Sequence, residues 1–373
     1  MKAIISGGGT GGHIFPAVAI ANAIKARHSD ASILFVGAEG RMEMEKVPAA
    51  GYDIKGLPIA GLQRKLTVSN IIKNLQLPFK MMRSRNMVKK ILRDFNPDIV
   101  VGVGGFASEP TLKAAASMGY PTLIQEQNSY AGLTNKMLAK DARTICVAYD
   151  GMERFFPAEK IVFTGNPIRA DIEKMTATKE EGRAHFELAD DSNVLLIIGG
   201  SLGARSINQM MLSNLELVKK IGQEHNLQVI WQTGQWMNDE AVAAVKQAGA
   251  DGTIKVHRFI SRMDLAYAAA DVIISRAGAI AISELCIVGK PLILIPSPNV
   301  AEDHQTKNAL ALSNKNAAIL VRDSECATKG IPTVVELLAD DERRNEMCRN
   351  ILALAKRNAA ELIVDEIDKI VTK

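Results

Sequence analysis

The sequence predicts an α/β fold built from two doubly wound parallel sheets in tandem. Three observations lead there. Short continuous runs of Val, Ile and Leu alternate with longer amphipathic stretches along the chain. Such runs suit parallel strands buried on both faces, and their alternation with helical patterns suits crossover connections. The same local event also occurs twice. Ala3-Ile4-Ile5-Ser6 leads into Gly7-Gly8-Gly9-Thr10-Gly11-Gly12, and Leu195-Leu196-Ile197-Ile198 leads into Gly199-Gly200-Ser201-Leu202-Gly203-Ala204. Each is a first strand, a glycine turn and the start of a helix, which makes the two halves Rossmann-like. Finally, 373 residues at 47% hydrophobic are enough for two cores.

The elements follow in order. Expected strands of the first half are Lys2–Ser6, Ile33–Val36, Ile99–Val103, Thr122–Gln125 and Thr144–Ala148. Those of the second are Val194–Ile198, Gln228–Gln232, Val272–Ser275 and Leu292–Ile295. Helical patterns cover Ala17–Arg27, Leu112–Met118 and Ile207–Ile221. The turn cluster Phe163-Thr164-Gly165-Asn166-Pro167 marks the joint, giving domains 1–164 and 165–341. A helical pattern from Glu342 to Val371 lies within 342–373 and is expected to cross back and complete the first domain.

Composition excludes several classes. The net charge is only +4 and no Lys/Arg run is interleaved with aromatics, so nucleic acid is not an expected partner. Cys146, Cys286, Cys326 and Cys348 form no CxxC pair and read as reduced thiols of a cytosolic protein. Met1-Lys2-Ala3-Ile4-Ile5 runs straight into the glycine loop, so no leader is expected. No apolar stretch approaches the roughly 20 residues of a membrane span, so membrane contact is expected to be peripheral.

Four motifs are candidates for chemistry. In Gly7–His13, glycines allow close approach of a ligand and a helix start offers free N–H groups. No Lys-Ser/Thr follows, so it is not a P-loop. His13 reads equally as a functional group or as a helix-start cap. In Gly199–Arg205, Ser201 can donate to a phosphate or cap the helix. In the third motif, Ser275–Glu284, a helix start offers N–H groups to a diphosphate, and Glu284, about one turn in, can accept from ribose hydroxyls. Gln305 and Asn308 downstream share a helix face and suit sugar hydroxyls or plain solvent. The fourth, Gln125-Glu126-Gln127-Asn128, is a polar cluster at a strand's carboxyl end, where α/β folds bind ligands. No Asp-x-Asp and no His/Cys ligand set occurs, so no metal is expected. Arg169 supplies a cation instead.

Together these motifs resemble the MurG family. The resemblance rests on Gly8–Pro16, Gly104-Gly105-Phe106-Ala107-Ser108, Glu126-Gln127-Asn128 with Ala131-Gly132-Leu133-Thr134-Asn135, Gly165-Asn166-Pro167-Ile168-Arg169, Gly199–Ala204 and Ser275–Glu284. They occur in the family's order and cover nearly the whole chain. The resemblance implies the GT-B architecture, two Rossmann-like domains facing across a cleft, with the donor in the C-terminal one. It implies inverting transfer of N-acetylglucosamine from UDP-GlcNAc to the C4 hydroxyl of the muramoyl sugar of lipid I. The product is lipid II with a β-1,4 bond, and no metal or other cofactor is needed. Donor contacts fall on Thr10, Gly11, Gly12, Asn128, Arg169, Ser201, Ile260, Ala279, Ile280, Ala281, Ile282, Ser283, Glu284 and Gln305. Ile260 would meet the uracil through its backbone. One departure stands out. The family's second glycine loop ends Ser-Gly-Pro, but here it is Ser108-Glu109-Pro110, and a carboxylate at Glu109 is expected on the acceptor side near a pyrophosphate.

Inverting transfer needs a base for the acceptor hydroxyl. His13 is the candidate and Glu126 the alternative. Leu66–Arg93 mixes Ile72, Leu75, Phe79 and Met82 with Lys73, Lys80 and Arg83 and carries no acidic residue. It is expected to dock on anionic lipid at the cytoplasmic face of the cell membrane, or else to be ordinary amphipathic helix. The competing readings are another GT-B UDP-sugar enzyme (a glycolipid glycosyltransferase or a UDP-GlcNAc epimerase) and a non-catalytic nucleotide-sugar sensor.

Overall fold

The computed structural model describes residues 1–59 and 77–372. The chain divides into two compact units, Met1–Arg169 with Arg357–Lys373, and Ala170–Lys356.

In the first unit, the described strands are β1 (Lys2–Ser6), β2 (Ser32–Ala38), β3 (Asp53–Leu57), β4 (Ile99–Gly102), β5 (Thr122–Glu126), β6 (Thr144–Val147) and β7 (Ile161–Phe163). They form one parallel sheet in the order β3-β2-β1-β4-β5-β6-β7. The continuous apolar runs have a simple cause: both faces are covered. Ile4, Val100, Ile124 and Ile145 pack on one side with Val88, Leu92 and Leu112. Their sequence neighbours Ala3, Ile5, Ile99, Val101, Leu123 and Cys146 pack on the other with Ile20, Ile24, Ile363 and Ile367. The helix Ala359–Val371 thus lies on this unit, beside the helix Gly11–Arg27. Arg27 pairs with Asp365 at 2.5 Å and His28 Nε2 lies 2.8 Å from Asp368.

The second unit carries β8 (Asn193–Ile198), β9 (Leu227–Gln232), β10 (Ile254–His257), β11 (Val272–Ser275), β12 (Leu292–Leu294) and β13 (Ile319–Leu320). The order is β10-β9-β8-β11-β12-β13, again parallel. In both sheets the winding direction reverses beside the first strand, between β1 and β4 and between β8 and β11. At such a switch point successive loops leave to opposite sides and open a crevice at the carboxyl ends of the strands.

Several boundaries differ from expectation. The units divide after Arg169 rather than after 164. The single helical pattern expected from Glu342 to Val371 is two helices, Asp341–Ala353 and Ala359–Val371, because Asn358 adopts the left-handed conformation (φ 58°). The first of them stays with the second unit, where Met347 is part of the core. The pattern Ile207–Ile221 also breaks in two, at Asn214, whose side chain donates to the carbonyls of Met210 and Ala327. Residues 66–76, including Lys73, Ile72 and Leu75, lie outside the described residues. Among the described residues no helix is long and apolar enough to cross a membrane.

Candidate active site

In the first unit the loop after β1 approaches the loop after β4 at backbone distance. Gly105 has φ +80°, and a Cβ there would stand 2.4 Å from the Gly8 carbonyl oxygen, so glycine is required. A buried carboxylate holds the first loop. Glu43, 1% exposed, accepts from Gly9 N–H at 2.9 Å and from Ala38 N–H at 3.1 Å. The next helix opens at Gly11, with Thr10 in extended conformation as its N-cap and no acidic residue in its first turn. Thr10 and Gly12 are exposed. His13, half-buried in that first turn, places Nδ1 3.1 Å from Gln127 Oε1.

The loop after β5 carries the polar cluster. Glu126 is 1% exposed. Its Oε1 accepts from the N–H of Asn128 at 3.0 Å and from the Asn128 side chain at 3.2 Å. Its Oε2 accepts from Gly132 N–H at 3.0 Å and from Asn135 Nδ2 at 2.8 Å. A carboxylate that accepts this many donors is a brace for the 126–135 loop. Asn128 stands half-buried on the loop so braced, and Arg169 is exposed at the end of the turn 165–168.

Glu109, expected on the acceptor side, has its carboxylate engaged inside the protein. It is 5% exposed and ion-paired with Arg85 of the helix Leu77–Phe95. An unpaired buried carboxylate would be costly, so the chain supplies its cation from the neighbouring helix.

In the second unit, the loops after β8 and β11 stand on the two sides of the switch point. Ser201 is exposed in the first, and the helix that follows takes Ala204, not Ser201, as its N-cap. The second loop leads into the helix Ala279–Val288, whose N-cap Gly278 offers no side chain and whose first turn holds no acid. Its leading N–H groups meet the requirements of an anion site. Ala279, Ile280, Ala281 and Ser283 are half-buried around this start, while Ile282 is buried. Glu284 is 6% exposed and accepts from the Tyr267 hydroxyl at 3.3 Å. Cys286, in the same helix, has its thiol pushed up to about 12 by burial, so it is no nucleophile at neutral pH.

Other side chains set this frame. Arg276 donates to the Ile295 carbonyl at 2.9 Å and to Ser206 Oγ at 2.7 Å, and pairs with Asp323 at 2.5 Å. It ties the loop after β11 to the helix after β8 and to the end of β12. Asn308 is fully buried and points its amide at the Ala277 carbonyl, 3.4 Å away, so it supports the loop rather than presenting a carboxamide to solvent. Gln305 Oε1 accepts from Ser297 N–H at 2.8 Å. Ile260 is 4% exposed and its N–H donates to Gln232 Oε1 at 3.0 Å. Among the described residues no group of three or more His, Cys, Asp or Glu stands ready to hold a metal ion.

Sequence reasoning gave no role to Glu43, Gln127, Arg276, Tyr267 or Gln232. Arg276 and Gln127 lie within Ser275–Glu284 and Gln125–Asn128. Glu43 sits in a charged stretch that reads as solvated helix, and nothing local marks it as buried.

The chain matches the glycosyltransferase family 28 N-terminal domain over residues 3–147 and the C-terminal domain of that family over residues 194–365. The UDP-N-acetylglucosamine--N-acetylmuramyl-(pentapeptide) pyrophosphoryl-undecaprenol N-acetylglucosamine transferase of Parabacteroides distasonis is 54% identical over 372 residues, covering 100% of this chain and 99% of its own. The enzyme of the same name from Phocaeicola vulgatus is 55% identical over 373 residues, covering 100% and 97%. Among solved structures, MurG of Acinetobacter baumannii superposes with a TM-score of 0.80 at 30% identity, covering 99% of both chains. The chain belongs to the MurG family. In this MurG-family chain the N-terminal match closes with β6 and the C-terminal match opens on β8, so each covers the switch point of one unit.

The bracing geometry makes Glu126→Ala a test of structure. Replacing it strands the donors of Asn128, Gly132 and Asn135. The expected loss is about 1.5–3 kcal/mol of unfolding free energy, the scale of a lost charged hydrogen-bond partner. Urea denaturation measures it. Unchanged stability together with abolished turnover would instead make Glu126 a catalytic group.

Proposed function

We propose that this chain transfers N-acetylglucosamine from UDP-N-acetylglucosamine to the C4 hydroxyl of a lipid-linked N-acetylmuramyl-pentapeptide pyrophosphate, lipid I. The product is lipid II, formed with inversion to a β-1,4 bond. The observation that carries this is full-length identity above half with transferases of that name. The second unit is the donor side and the first the acceptor side.

The residues take these roles. The departing diphosphate carries negative charge, and the uncapped start of Ala279–Val288 supplies N–H groups and the positive end of a helix dipole. Ser201 adds a hydroxyl, and Arg169 is the cation that the first unit makes available for phosphate charge. Preorganised donors of this kind stabilise charge as it develops on the leaving group. Glu284 accepts from the ribose hydroxyls, and the Ile260 carbonyl meets the uracil. Gln305 meets the transferred sugar, and Thr10, Gly11, Gly12 and Asn128 are the substrate-contacting residues of the first unit. Turnover needs no metal, because helix and side-chain donors carry the phosphate charge.

His13 is the base that takes the acceptor proton. It is half-buried at a helix start, whereas Glu126 is enclosed by four donors. A positioned base supplies about 10²–10⁴ in rate. Incubation with labelled UDP-N-acetylglucosamine and a lipid I analogue should yield the β-1,4 disaccharide product. His13→Ala should lower kcat by about 10²-fold or more with UDP affinity nearly intact. A variant with normal kcat would remove His13 from this role, and an epimerised or hydrolysed sugar in place of the disaccharide would overturn the activity.

The first unit docks on the cytoplasmic face of the cell membrane through the helix Leu77–Phe95. Phe79 is 76% exposed and Met82 62%, and they line an open groove with Arg83, Asn86, Met87 and Lys90. Apolar side chains enter the lipid interface while Lys and Arg meet anionic head groups, at about 1 kcal/mol per cation. The acceptor's lipid gives such docking a purpose. Co-sedimentation should show tighter binding to anionic than to neutral vesicles, falling with salt. Phe79→Ser with Met82→Ser should weaken it. Equal binding by the double variant would reduce this helix face to ordinary surface.

A further inference from the structure

We infer that Gln127 is a positioning residue that fixes the tautomer of His13, with the proton on Nδ1 and the lone pair on Nε2. The inference deepens the assignment of His13 as base and rests on it.

The polarity of a buried chain of amides leads to this. It begins at a backbone carbonyl, which can only accept. Asn166 Nδ2 donates to the Gln127 carbonyl at 3.0 Å, so the other atom of that amide, Oδ1, is the one facing Gln125. Gln125 Nε2 donates to it at 2.9 Å. Gln125 Oε1 is therefore turned to Gln127, whose Nε2 donates to it. The same Nε2 donates to the Val103 carbonyl at 2.8 Å, a second acceptor-only group. Reversing any one amide would set oxygen against oxygen at a carbonyl. Gln127 Oε1 is thereby committed to His13, with Nδ1 at 3.1 Å. An amide oxygen accepts and never donates, so Nδ1 must carry the hydrogen. The chain is sealed from water: Gln125 is 0%, Gln127 1% and Asn166 2% exposed. Unmade bonds in such a place are costly, which gives the polarity its force.

The chemical consequence lies at the other ring nitrogen. A neutral imidazole with its proton on Nδ1 is a base at Nε2, the nitrogen that would receive the acceptor hydroxyl's proton. Free neutral histidine leans toward the opposite tautomer, so the amide chain overrides the intrinsic preference. The amide orients the ring without adding a negative charge that would favour the imidazolium.

The test uses the full chain labelled with ¹⁵N-histidine. Long-range proton–nitrogen correlation spectra distinguish the two tautomers, and the His13 signal is identified by its loss in His13→Ala. At a pH where the ring is neutral, wild type should show Nδ1 protonated. A ring protonated on Nε2, or an even mixture, overturns the inference. In Gln127→Met the Nε2–H form should appear, and kcat should fall about tenfold to a hundredfold with KM for UDP-N-acetylglucosamine within about twofold, a part of what a positioned base contributes. Where His13→Ala loses kcat, an unchanged kcat in a folded Gln127→Met also overturns it. The two readings fail separately. If His13→Ala retains kcat while the wild-type ring shows Nδ1–H, His13 is not the base, yet Gln127 still sets its tautomer.

Discussion

A parallel sheet covered by helices on both faces hides its own backbone, and its loops must then be held by groups from inside the protein. In the first unit the alternating residues of β1, β4, β5 and β6 are buried to either side, so the chain leaves each strand at a crowded edge. The glycine loops that emerge there pack backbone against backbone, as Gly105 does on Gly8. Close packing of bare backbone satisfies few N–H groups. Buried carboxylates make up the difference, Glu43 for the loop after β1 and Glu126 for the loop after β5. The second unit answers the same constraint with a cation. Arg276 gathers Ser206, Asp323 and the Ile295 carbonyl and so fixes the loop from which the helix Ala279–Val288 starts. Buried side chains thus decide where the loops at the carboxyl ends of the strands stand.

This division of labour sorts the polar residues by what already occupies them. A helix start with no side-chain cap and no acid in its first turn, as at Gly278, meets the requirements of an anion site. A carboxylate ringed by four donors, as at Glu126, has its lone pairs spoken for, and proton transfer through it would dismantle the loop it braces. His13 meets the Gln127 amide oxygen at Nδ1. Preorganisation of this kind lets a site stabilise charge without rearranging during reaction.

Much of the fold was legible in the sequence because the buried strands have no polar positions to confuse their pattern. Lys2–Ser6 and Val272–Ser275 appear with the expected bounds. The strands that escaped notice, β3, β7, β10 and β13, are edge or near-edge strands with mixed or very short runs, such as Ile254–His257 with Lys255 and His257 in it. The helical period could not reveal the interruptions at Asn214 and Asn358, because both fall where the apolar spacing continues across a turn. For the candidate site, glycine loops and helix starts announce themselves through composition. Burial does not. Asn308 sits on the same helix face as Gln305 yet is fully enclosed, and Glu109 is drawn into a pair with Arg85, a residue of a different helix. Such outcomes depend on tertiary neighbours, which local spacing does not encode.

The central claim is that the loops of the second unit, with Glu284 one turn into its uncapped helix, form a uridine diphosphate site. Glu284 is held at 6% exposure and accepts from the Tyr267 hydroxyl at 3.3 Å. The most direct measurement is calorimetric titration of UDP into the full chain and into Glu284→Ala. Wild type should bind, and the variant should bind more weakly by about 1–3 kcal/mol, roughly five- to 150-fold, at similar thermal stability. Equal UDP affinity in the two proteins would contradict the assignment.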